Sequence, residues 1–509
     1  MAIALPPPVT PQQGDAAQLQ TGAANAQLIE FQDYHLHVYG GGLVPQERIQ
    51  AAVATTDNLS DAVRAVGYVY YVSGYPATLV SYALNDHDLY IRVQPGHVGE
   101  VQAPPQLQPY FADLMKGALP LTDVQLEEDR ALADAFTERA GEQYSPQFRP
   151  GTGDNVVLDF GQPAPGTPQT QIKGEFSNYG NRYSGRYLGD VVLRHSFASG
   201  DELQLGGVGG VRGIHDGDQP YWEGDGSWSR VTTWGVWGLQ GRYIDFKQNI
   251  QGFLFDGRIY YGGGTWLYPL YADFNRRFTI QAKFDWTDTR IDLNATGEEA
   301  LSEIYYSAEV TPAYVERRQW GGQQFEWQAA LTARHGLGKN QAEHQQVPGL
   351  ANTAAFMLRP SALVRYTPVP EFSFAFEGQG QLTHSKVPLQ EQFVVGGPAS
   401  LHAFAPGTGV GDHGGAGRLS AEWRGLKGET LDIRPRILAE YGITAFSSDA
   451  PPFGGTLQLG DVAGEIDVNF AKWLDGTFSV SKKVFSTGEE HSPNGLAKTF
   501  YYFRVAVKF

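Results

Sequence analysis

The feature that most constrains the fold is a two-residue alternation of apolar and polar side chains. It begins near Thr170 and continues for about 340 residues without a helical period. In one segment, Phe278 and Ile280 alternate with Thr279 and Gln281. Alternation with a period of two indicates β-strands that have one apolar and one polar face. The region after residue 170 is therefore predicted to be all β.

We predict sixteen strands in this region. They cover residues 170–178, 184–198, 201–212, 225–232, 236–246, 255–269, 274–289, 301–314, 323–335, 353–366, 371–382, 415–426, 432–446, 459–470, 474–485 and 499–509. Their connections alternate between tight turns, such as Ser199-Gly200, and long polar loops, such as 336–352 and 383–414. Outer-membrane barrels have this asymmetry between short periplasmic turns and long external loops. The predicted fold is mainly β, with a 16-stranded antiparallel transmembrane barrel.

Composition agrees with a membrane barrel and excludes several other classes. Aromatic residues make up 13% of the 509 residues, charged residues make up only 18%, and there are 62 glycines. Aromatic girdles and glycine-rich loops account for such a mixture. The net charge of −17 argues against nucleic acid as a partner. Since the chain has no cysteine, disulfides and cysteine-ligated metals are excluded.

The barrel is expected to be closed, because an open sheet edge in hydrocarbon leaves backbone groups unpaired at a cost of several kcal/mol each. Sixteen strands enclose a lumen wider than side chains alone can fill. The polar strand faces line this lumen with charges of both signs. The pore-lining candidates are Lys283, Asp285, Glu326, Arg418, Glu422, Arg424 and Arg504.

The last predicted strand presents an apolar face that ends in an aromatic residue. Its members are Tyr501, Phe503, Val505, Val507 and Phe509. An aromatic C-terminus on the lipid face resembles the signal read by the barrel-assembly machinery. We therefore expect that machinery to be a partner during biogenesis and outer-membrane lipid to surround the finished barrel.

The N-terminal third has a different organisation. Residues 1–26 are predicted to be a flexible tail, with a plug helix as the alternative. Small α/β domains are predicted at 27–102 and 103–163, and the barrel domain at 164–509. Predicted helices in the two domains cover residues 44–55, 59–73 and 123–141, with strands at 79–84, 89–93 and 156–160. Residues 1–8 lack the basic and apolar regions of a signal peptide, so we expect a removed leader or a misplaced start codon.

Two small α/β modules followed by a sixteen-stranded barrel resemble the outer-membrane transporters of two-partner secretion. These TpsB proteins, of ShlB/FhaC/HecB type, are a branch of the Omp85 superfamily, and their periplasmic modules are called POTRA domains. Gly74-Tyr75-Pro76 resembles a helix end of such a module, and Tyr268-Pro269-Leu270 resembles a periplasmic turn. The most specific resemblance is the start of the long sixth loop, predicted at 383–414. It rests on Glu391, Gln392, Phe393, Gly396 and Gly397.

In the family the sixth loop normally folds back into the barrel and carries Val-Arg-Gly-Tyr or Val-Arg-Gly-Phe. Here the aligned positions are Leu401, His402, Ala403 and Phe404, so the arginine is missing. The resemblance implies an acidic partner on the lumen wall, and Glu440 occupies that position. We predict that His402 and Glu440 form a substitute pair that is sensitive to pH, since a carboxylate favours the charged imidazole. The alternative is a loop that has lost its latch.

No motif indicates an enzyme, a cofactor or a metal site. Residues 409–414 match Gly-x-Gly-x-x-Gly, but neither the strand nor the helix of a dinucleotide site flanks them. Asp216, Asp218, Glu223 and Asp225 gather in a predicted loop, with a spacing that differs from an EF-hand. We expect no catalytic residue, no cofactor and no metal.

The resemblance implies that an unfolded partner exoprotein is captured in the periplasm and threaded through the barrel to the cell surface without ATP. Periplasmic chaperones are expected as further partners, and the protein is expected to be a monomer in the Gram-negative outer membrane. Capture could proceed by strand addition to an exposed sheet edge. The candidate edge consists of Leu79, Val80, Ser81, Tyr82, Ala83 and Leu84. Two alternatives remain: an Omp85-type insertase and a diffusion porin, although porins lack folded N-terminal modules.

Overall fold

The fold is described from a computed structural model of the chain. The structure describes every residue except 1, 117–119, 182–183, 212–219, 251–252, 339–350, 448–454, 472 and 489–500. Asp216 and Asp218 of the acidic cluster therefore lie outside the described residues.

The first module is a five-stranded sheet in the order β1-β4-β5-β3-β2, against which two helices pack. Its elements are β1 Gln12–Gln13, α1 Ala16–Gly22, β2 Gln27–Phe31, β3 Tyr34–Gly40, α2 Gln46–Val53, α3 Leu59–Val72, β4 Leu79–Asn85 and β5 Asp88–Gln94. The side chains of Leu36, Val66 and Ile91 are fully buried between α3 and the sheet. Asn58 caps α3 by accepting a hydrogen bond from the N–H of Asp61.

The second module is a three-stranded sheet in the order β6-β9-β8, covered by one long helix. Its elements are β6 His97–Gln102, α4 Asp123–Ala140, β7 Glu142–Gln143, β8 Gln147–Pro150, β9 Asn155–Asp159 and β10 Ala164–Pro165. Thr122 and Gln125 form a capping box at the start of α4, and Gly141 ends it in a left-handed conformation. The boundary predicted at residue 102 is wrong, because β6 pairs with β9 and so belongs to the second module.

Residues 2–25 are ordered along the two modules, which corrects their interpretation as a flexible tail. Residues 12 and 13 form β1, which adds to the sheet beside β4. Helix α1 is present, but it packs its buried Leu19 against Ala83 and Tyr90 of the first module and not inside the barrel. A buried apolar side chain accounts for this docking, since burying a leucine contributes about 1.5–3 kcal/mol.

The barrel is closed and antiparallel, and within the described residues it has sixteen strands when β25 is counted as the continuation of β24. The strands are β11 Thr170–Ser177, β12 Leu188–Ser196, β13 Asp201–Gly210, β14 Tyr221–Thr232, β15 Gly235–Ile250, β16 Phe253–Ala272, β17 Arg276–Leu293, β18 Glu298–Trp320, β19 Gln323–Gly336, β20 Phe356–Val369, β21 Phe372–Gln381, β24 His413–Trp423, β25 Leu426–Lys427, β26 Leu431–Ala445, β27 Thr456–Phe470, β28 Leu474–Thr487 and β29 Tyr501–Lys508. The remaining strands, β22 Phe393–Val395 and β23 Gly409–Gly411, form a hairpin in the sixth loop. The predicted fold class is confirmed.

The alternation in the sequence places apolar side chains outside and polar side chains inside. Phe284, Leu419 and Val505 are exposed on the outer face, whereas the neighbouring Asp285 is fully buried in the lumen. One prediction about a loop is wrong: Glu223 and Asp225 belong to β14, which begins at Tyr221 and extends the wall into the predicted loop.

The second module docks on the periplasmic end of the barrel through α4. The guanidinium of Arg139 donates to the carbonyl of Gly200 at 2.9 Å and to Oγ of Ser229 at 2.9 Å. Gly200 turns the β12–β13 hairpin with φ +79, and a Cβ there would lie 2.5 Å from the Phe136 ring. A glycine is therefore required both by the turn and by the close approach of α4.

Within the described part of the chain, every helix is too short or too polar to cross a bilayer.

Candidate functional site

The candidate site is the sixth loop, which runs from the end of β21 to the start of β24 and folds back into the barrel. The hairpin of β22 and β23 carries the loop tip, residues 396–408. At the tip, Leu401, Ala403 and Phe404 are buried against Leu457 and Leu459 of the wall. The loop is therefore held inside the lumen by an apolar contact on one side.

A second set of contacts surrounds His402. Its Nδ1 atom lies 2.8 Å from Oε2 of Glu440, and its Nε2 atom lies 3.2 Å from Oε2 of Glu465. Ionised carboxylates only accept hydrogen bonds, so both ring nitrogens donate when the imidazole carries its positive charge. His402 lies in the sixth loop, outside the barrel strands, and its burial lowers the pKa of the imidazole. The hydrogen bonds to Glu440 and Glu465 outweigh burial and raise that pKa to about 9.

The main chain of the tip is fixed to the wall as well. The N–H of His402 donates to Glu440 at 2.8 Å, and the N–H of Ala403 donates to Asp461 at 2.6 Å. Two carbonyls accept from the wall: Ser481 Oγ donates to that of His402, and the Tyr502 hydroxyl donates to that of Phe404, both at 2.7 Å. The tip thus contacts strands β26 to β29 with its backbone.

The wall itself supplies a guanidinium to Glu440. Arg418 on β24 stands directly opposite Glu440 on β26, and its Nε donates to Oε1 at 2.5 Å. Arg418 also donates to the carbonyl of Pro398 in the loop at 2.7 Å. His402 from the loop and Arg418 from the wall therefore both bind the Glu440 carboxylate. In the family that the sequence resembles, the acidic residue at this position is expected to pair with a loop arginine.

Glycines permit the loop to approach the wall closely. A Cβ at Gly442 would lie 2.6 Å from Cδ1 of Leu401, and a Cβ at Gly411 would lie 2.5 Å from the carbonyl of Ala445. Gly409 meets Val395 and Gly414 meets Phe393 in the same way. Close packing thus accounts for the glycines of the Gly-x-Gly-x-x-Gly match.

The base of the loop is anchored by a separate charge cluster. Glu391 accepts from Nη2 of Arg334 at 2.6 Å, from Nη2 of Arg359 at 2.7 Å and from the Tyr305 hydroxyl at 3.1 Å. Arg334 also donates to both carboxylate oxygens of Asp285 at 2.9 Å. The side chains of Arg334 and Asp285 are 5% and 0% exposed, so this ion pair is buried.

The structure brings together some predicted site residues and separates others. His402, Glu440 and Arg418 share one cluster, while Glu391 and Asp285 share the other. Lys283 joins the second cluster through Asp285, and the remaining predicted lumen residues pair elsewhere: Glu326 with Arg317, Glu422 with Arg424, and Arg504 with Glu175. The edge predicted to be exposed at 79–84 is partly covered, because β1 pairs with Ser81 and Tyr82.

Sequence reasoning missed Arg334, Asp461 and Glu465. Each lies on the polar face of a predicted strand, so alternation could have placed all three in the lumen. Their contacts with the loop come from strand register, which alternation does not specify.

A closed sixteen-stranded barrel that holds its own long loop and carries two α/β modules defines a class of outer-membrane transport proteins. A model of the haemolysin secretion/activation protein family ShlB/FhaC/HecB matches residues 167–455. Since this match covers more than half of the chain, the protein belongs to that family. It is an outer-membrane protein-secretion transporter of Gram-negative bacteria, with its N-terminal domains in the periplasm.

Solved structures share the fold over nearly the whole chain. CdiB from Escherichia coli is similar with a TM-score of 0.68 and 16% identity, over 96% of this chain and 91% of that chain. CdiB from Acinetobacter baumannii has a TM-score of 0.60 and 11% identity, over 97% and 96%. BamA from Haemophilus ducreyi lacking POTRA domains 1–3 has a TM-score of 0.50 and 12% identity, over 95% and 100%. No curated protein sequence matches this chain.

Proposed function

We propose that this protein transports one unfolded exoprotein from the periplasm through its barrel to the cell surface without ATP. The observation that supports the proposal is that a loop lies inside the lumen and is bound to its wall. A sixteen-stranded wall leaves a wide passage, and the sixth loop occupies it through non-covalent contacts that can break and re-form. Moving the loop would open a polar path for an extended chain.

The position of the modules fits this proposal. Helix α4 places the second module against the periplasmic turns, next to the mouth of the barrel. A passenger held in extended form on the modules would enter the lumen without crossing lipid. Periplasmic chaperones would keep it unfolded beforehand, and folding at the surface would prevent its return. The protein would work as a monomer, since one barrel contains the whole path.

The test is secretion of the exoprotein encoded beside this gene. Expression of both proteins should release the exoprotein into the medium, and expression of the exoprotein alone should leave it in the periplasm. Release that is equal in the two strains contradicts the proposal.

A specific observation also favours a second candidate, an insertase that opens between its first and last strands. The seam between β11 and β29 has five register pairs, whereas β15 and β16 have fifteen among the described residues. A short seam separates more readily, and an insertase would release client strands sideways through it. A diffusion porin is disfavoured, because the loop lies in the lumen and is bound to the wall at its tip and at its base.

A disulfide across the seam separates the two candidates. Ile172 and Phe509 exchange both backbone hydrogen bonds, so Glu175 and Ala506 form a non-hydrogen-bonded pair with Cα atoms about 4.5 Å apart. That distance suits a disulfide, and the chain has no other cysteine. Glu175→Cys with Ala506→Cys should leave secretion intact in a transporter and stop client insertion in an insertase. Arg194→Cys with Gln204→Cys, which are register partners on β12 and β13, is the matched control.

A further inference from the structure

The N-terminal segment, residues 2–14, lies extended across both modules and pairs its backbone with each of them. In the first module, Gln12 and Gln13 pair in parallel with Ser81 and Tyr82 of β4. In the second module, Ile3 forms a parallel bridge with Tyr144, which precedes β8. In the first module the receiving strand, β4, is the outermost strand of the sheet apart from the segment itself, and in the second module Tyr144 lies between β7 and β8.

The contacts at Ile3 are those of a peptide-binding site. Its side chain is fully buried in the core of the second module. Its N–H donates to Oδ1 of Asp134 at 2.7 Å, and its carbonyl accepts from Nη1 of Arg130 at 2.6 Å. Arg130 is itself held by Glu127 through two hydrogen bonds, and both side chains are 4% exposed. The buried Arg130 guanidinium and the Asp134 carboxylate thus bind the backbone of Ile3 through hydrogen bonds.

Backbone pairing continues on both sides of Ile3. The N–H of Ala4 donates to the Tyr144 carbonyl at 2.9 Å, and the Tyr144 N–H donates to the Ala2 carbonyl at 2.7 Å. Further along, the Tyr71 hydroxyl donates to the carbonyl of Pro6 at 3.0 Å, and the side chain of Val9 is buried. Contacts to backbone atoms do not depend on side-chain identity, so other extended peptides can make them.

The composition of the segment indicates the chemistry that this surface accepts. Residues 2–14 contain no charged residue and four prolines, which favour an extended conformation. Two β-branched side chains, Ile3 and Val9, fill apolar sites of the second module. The surface therefore fits an uncharged extended strand that carries aliphatic β-branched residues.

We infer that residues 2–14 are a built-in substitute for the passenger, and that they occupy a continuous peptide-binding surface across the two modules in the resting protein. An extended, uncharged passenger segment with β-branched residues displaces them and takes the same backbone contacts. This inference rests on the proposed function and adds a defined binding surface to it. Because the segment is tethered at a high effective concentration, it excludes weak or incorrect partners.

The first arm of the test locks the segment in place. Gln12→Cys with Ser81→Cys joins register partners on neighbouring strands about 4.8 Å apart. Oxidation should lower the rate of secretion at least tenfold, and reduction should restore it. Glu30→Cys with His35→Cys cross-links β2 to β3 without holding the segment and is the control. Secretion that continues with the oxidised segment lock overturns the inference.

The second arm measures binding directly in the purified full-length protein. A fluorescent synthetic peptide with the sequence of residues 2–14 should bind Ile3→Asp at least ten times more tightly than wild type, since a buried carboxylate expels the tethered segment. The same peptide with aspartate at the isoleucine position is the negative control. Equal affinity for wild type and Ile3→Asp overturns the inference. This arm does not depend on secretion, whereas a wild-type protein that secretes nothing contradicts the proposed function itself.

Discussion

His402 and the Glu440 carboxylate are joined twice, because the ring Nδ1 and the main-chain nitrogen of His402 both lie 2.8 Å from the same oxygen, Oε2. The pair links the tip of the sixth loop to β26, and both side chains are almost completely buried. A contact of this kind can control whether the loop stays in the lumen.

We expect His402→Ala to release the loop. The substitution removes the cation between Glu440 and Glu465, while Arg418 and Arg436 stay beside them, so the cost should be about 3 kcal/mol, the lower end of the range for breaking one side of a buried ion pair. The open fraction of single channels in planar bilayers should rise roughly a hundredfold, since each 1.4 kcal/mol is about tenfold. His402→Arg should stay closed, because arginine keeps the positive charge. His384→Ala, which alters an exposed histidine of the same loop, should behave as wild type; equal open fractions in both alanine variants contradict the assignment.

The sixth loop should stay closed at neutral pH and open at alkaline pH. The ordinary pKa of histidine is about 6.5, and that of His402 is raised to about 9. A raised pKa means that the stabilising charge is fully present below about pH 6.5 and is lost as the pH rises through about 9. The groups that face the ring are Glu440, Glu465, Asp461, Arg418 and Tyr502. The pH sensitivity predicted from sequence is thus expected near pH 9.

Channel recordings from pH 6 to 10 test this expectation. Wild type should show a rise in open fraction centred near pH 9, and His402→Arg should show none over the same range. A wild-type rise centred near pH 6.5 would mean that the carboxylates do not hold the proton on His402.

Sequence alone predicted most of the barrel and the pairing in the loop, for identifiable reasons. Each strand has a polar and an apolar face, so period-two alternation located all sixteen strands, although β18 extends six residues beyond its predicted end, to Trp320. The Glu391–Gly397 motif located the sixth loop by resemblance, and the resemblance also predicted the contact between His402 and Glu440. Alternation does not specify the register between neighbouring strands. The register places Arg418 opposite Glu440 and brings Arg334 within hydrogen-bond distance of Glu391.

The flexible tail predicted at residues 1–26 was wrong for a different physical reason. Proline and glutamine give no apolar period, so composition indicated disorder. Order comes instead from a few buried side chains, such as Ile3 and Leu19, and from pairing with sheet edges that the sequence does not reveal as available.

A small residue at position 442 is expected to be necessary for loop closure. In Gly442→Ala the new Cβ lies 2.6 Å from Cδ1 of Leu401, so the loop tip must move. A cysteine at the buried position Ala405 should then react with a membrane-impermeant maleimide several times faster than in wild type. Leu401→Ala in the same protein should restore slow labelling, because it removes the clashing methyl group. Gly464→Ala, with open space around its Cβ, is the control, and fast labelling there would assign the effect to general destabilisation.

The charge cluster at the base of the loop should contribute more to stability than a surface ion pair. Arg334→Ala leaves Asp285 and Glu391 buried without their common guanidinium, at a cost of about 3–5 kcal/mol. Arg317→Ala removes a pair whose arginine is 65% exposed, which should cost less than about 1 kcal/mol. When samples are heated before electrophoresis, the folded band of Arg334→Ala should be replaced by the unfolded band at a clearly lower temperature than in wild type. Arg317→Ala should unfold at the wild-type temperature. Arg334→Lys should fall between them, since one ammonium cannot donate to both carboxylates in the forked geometry of a guanidinium. If Arg334→Ala and Arg317→Ala unfold at the same temperature, the cluster does not stabilise the barrel.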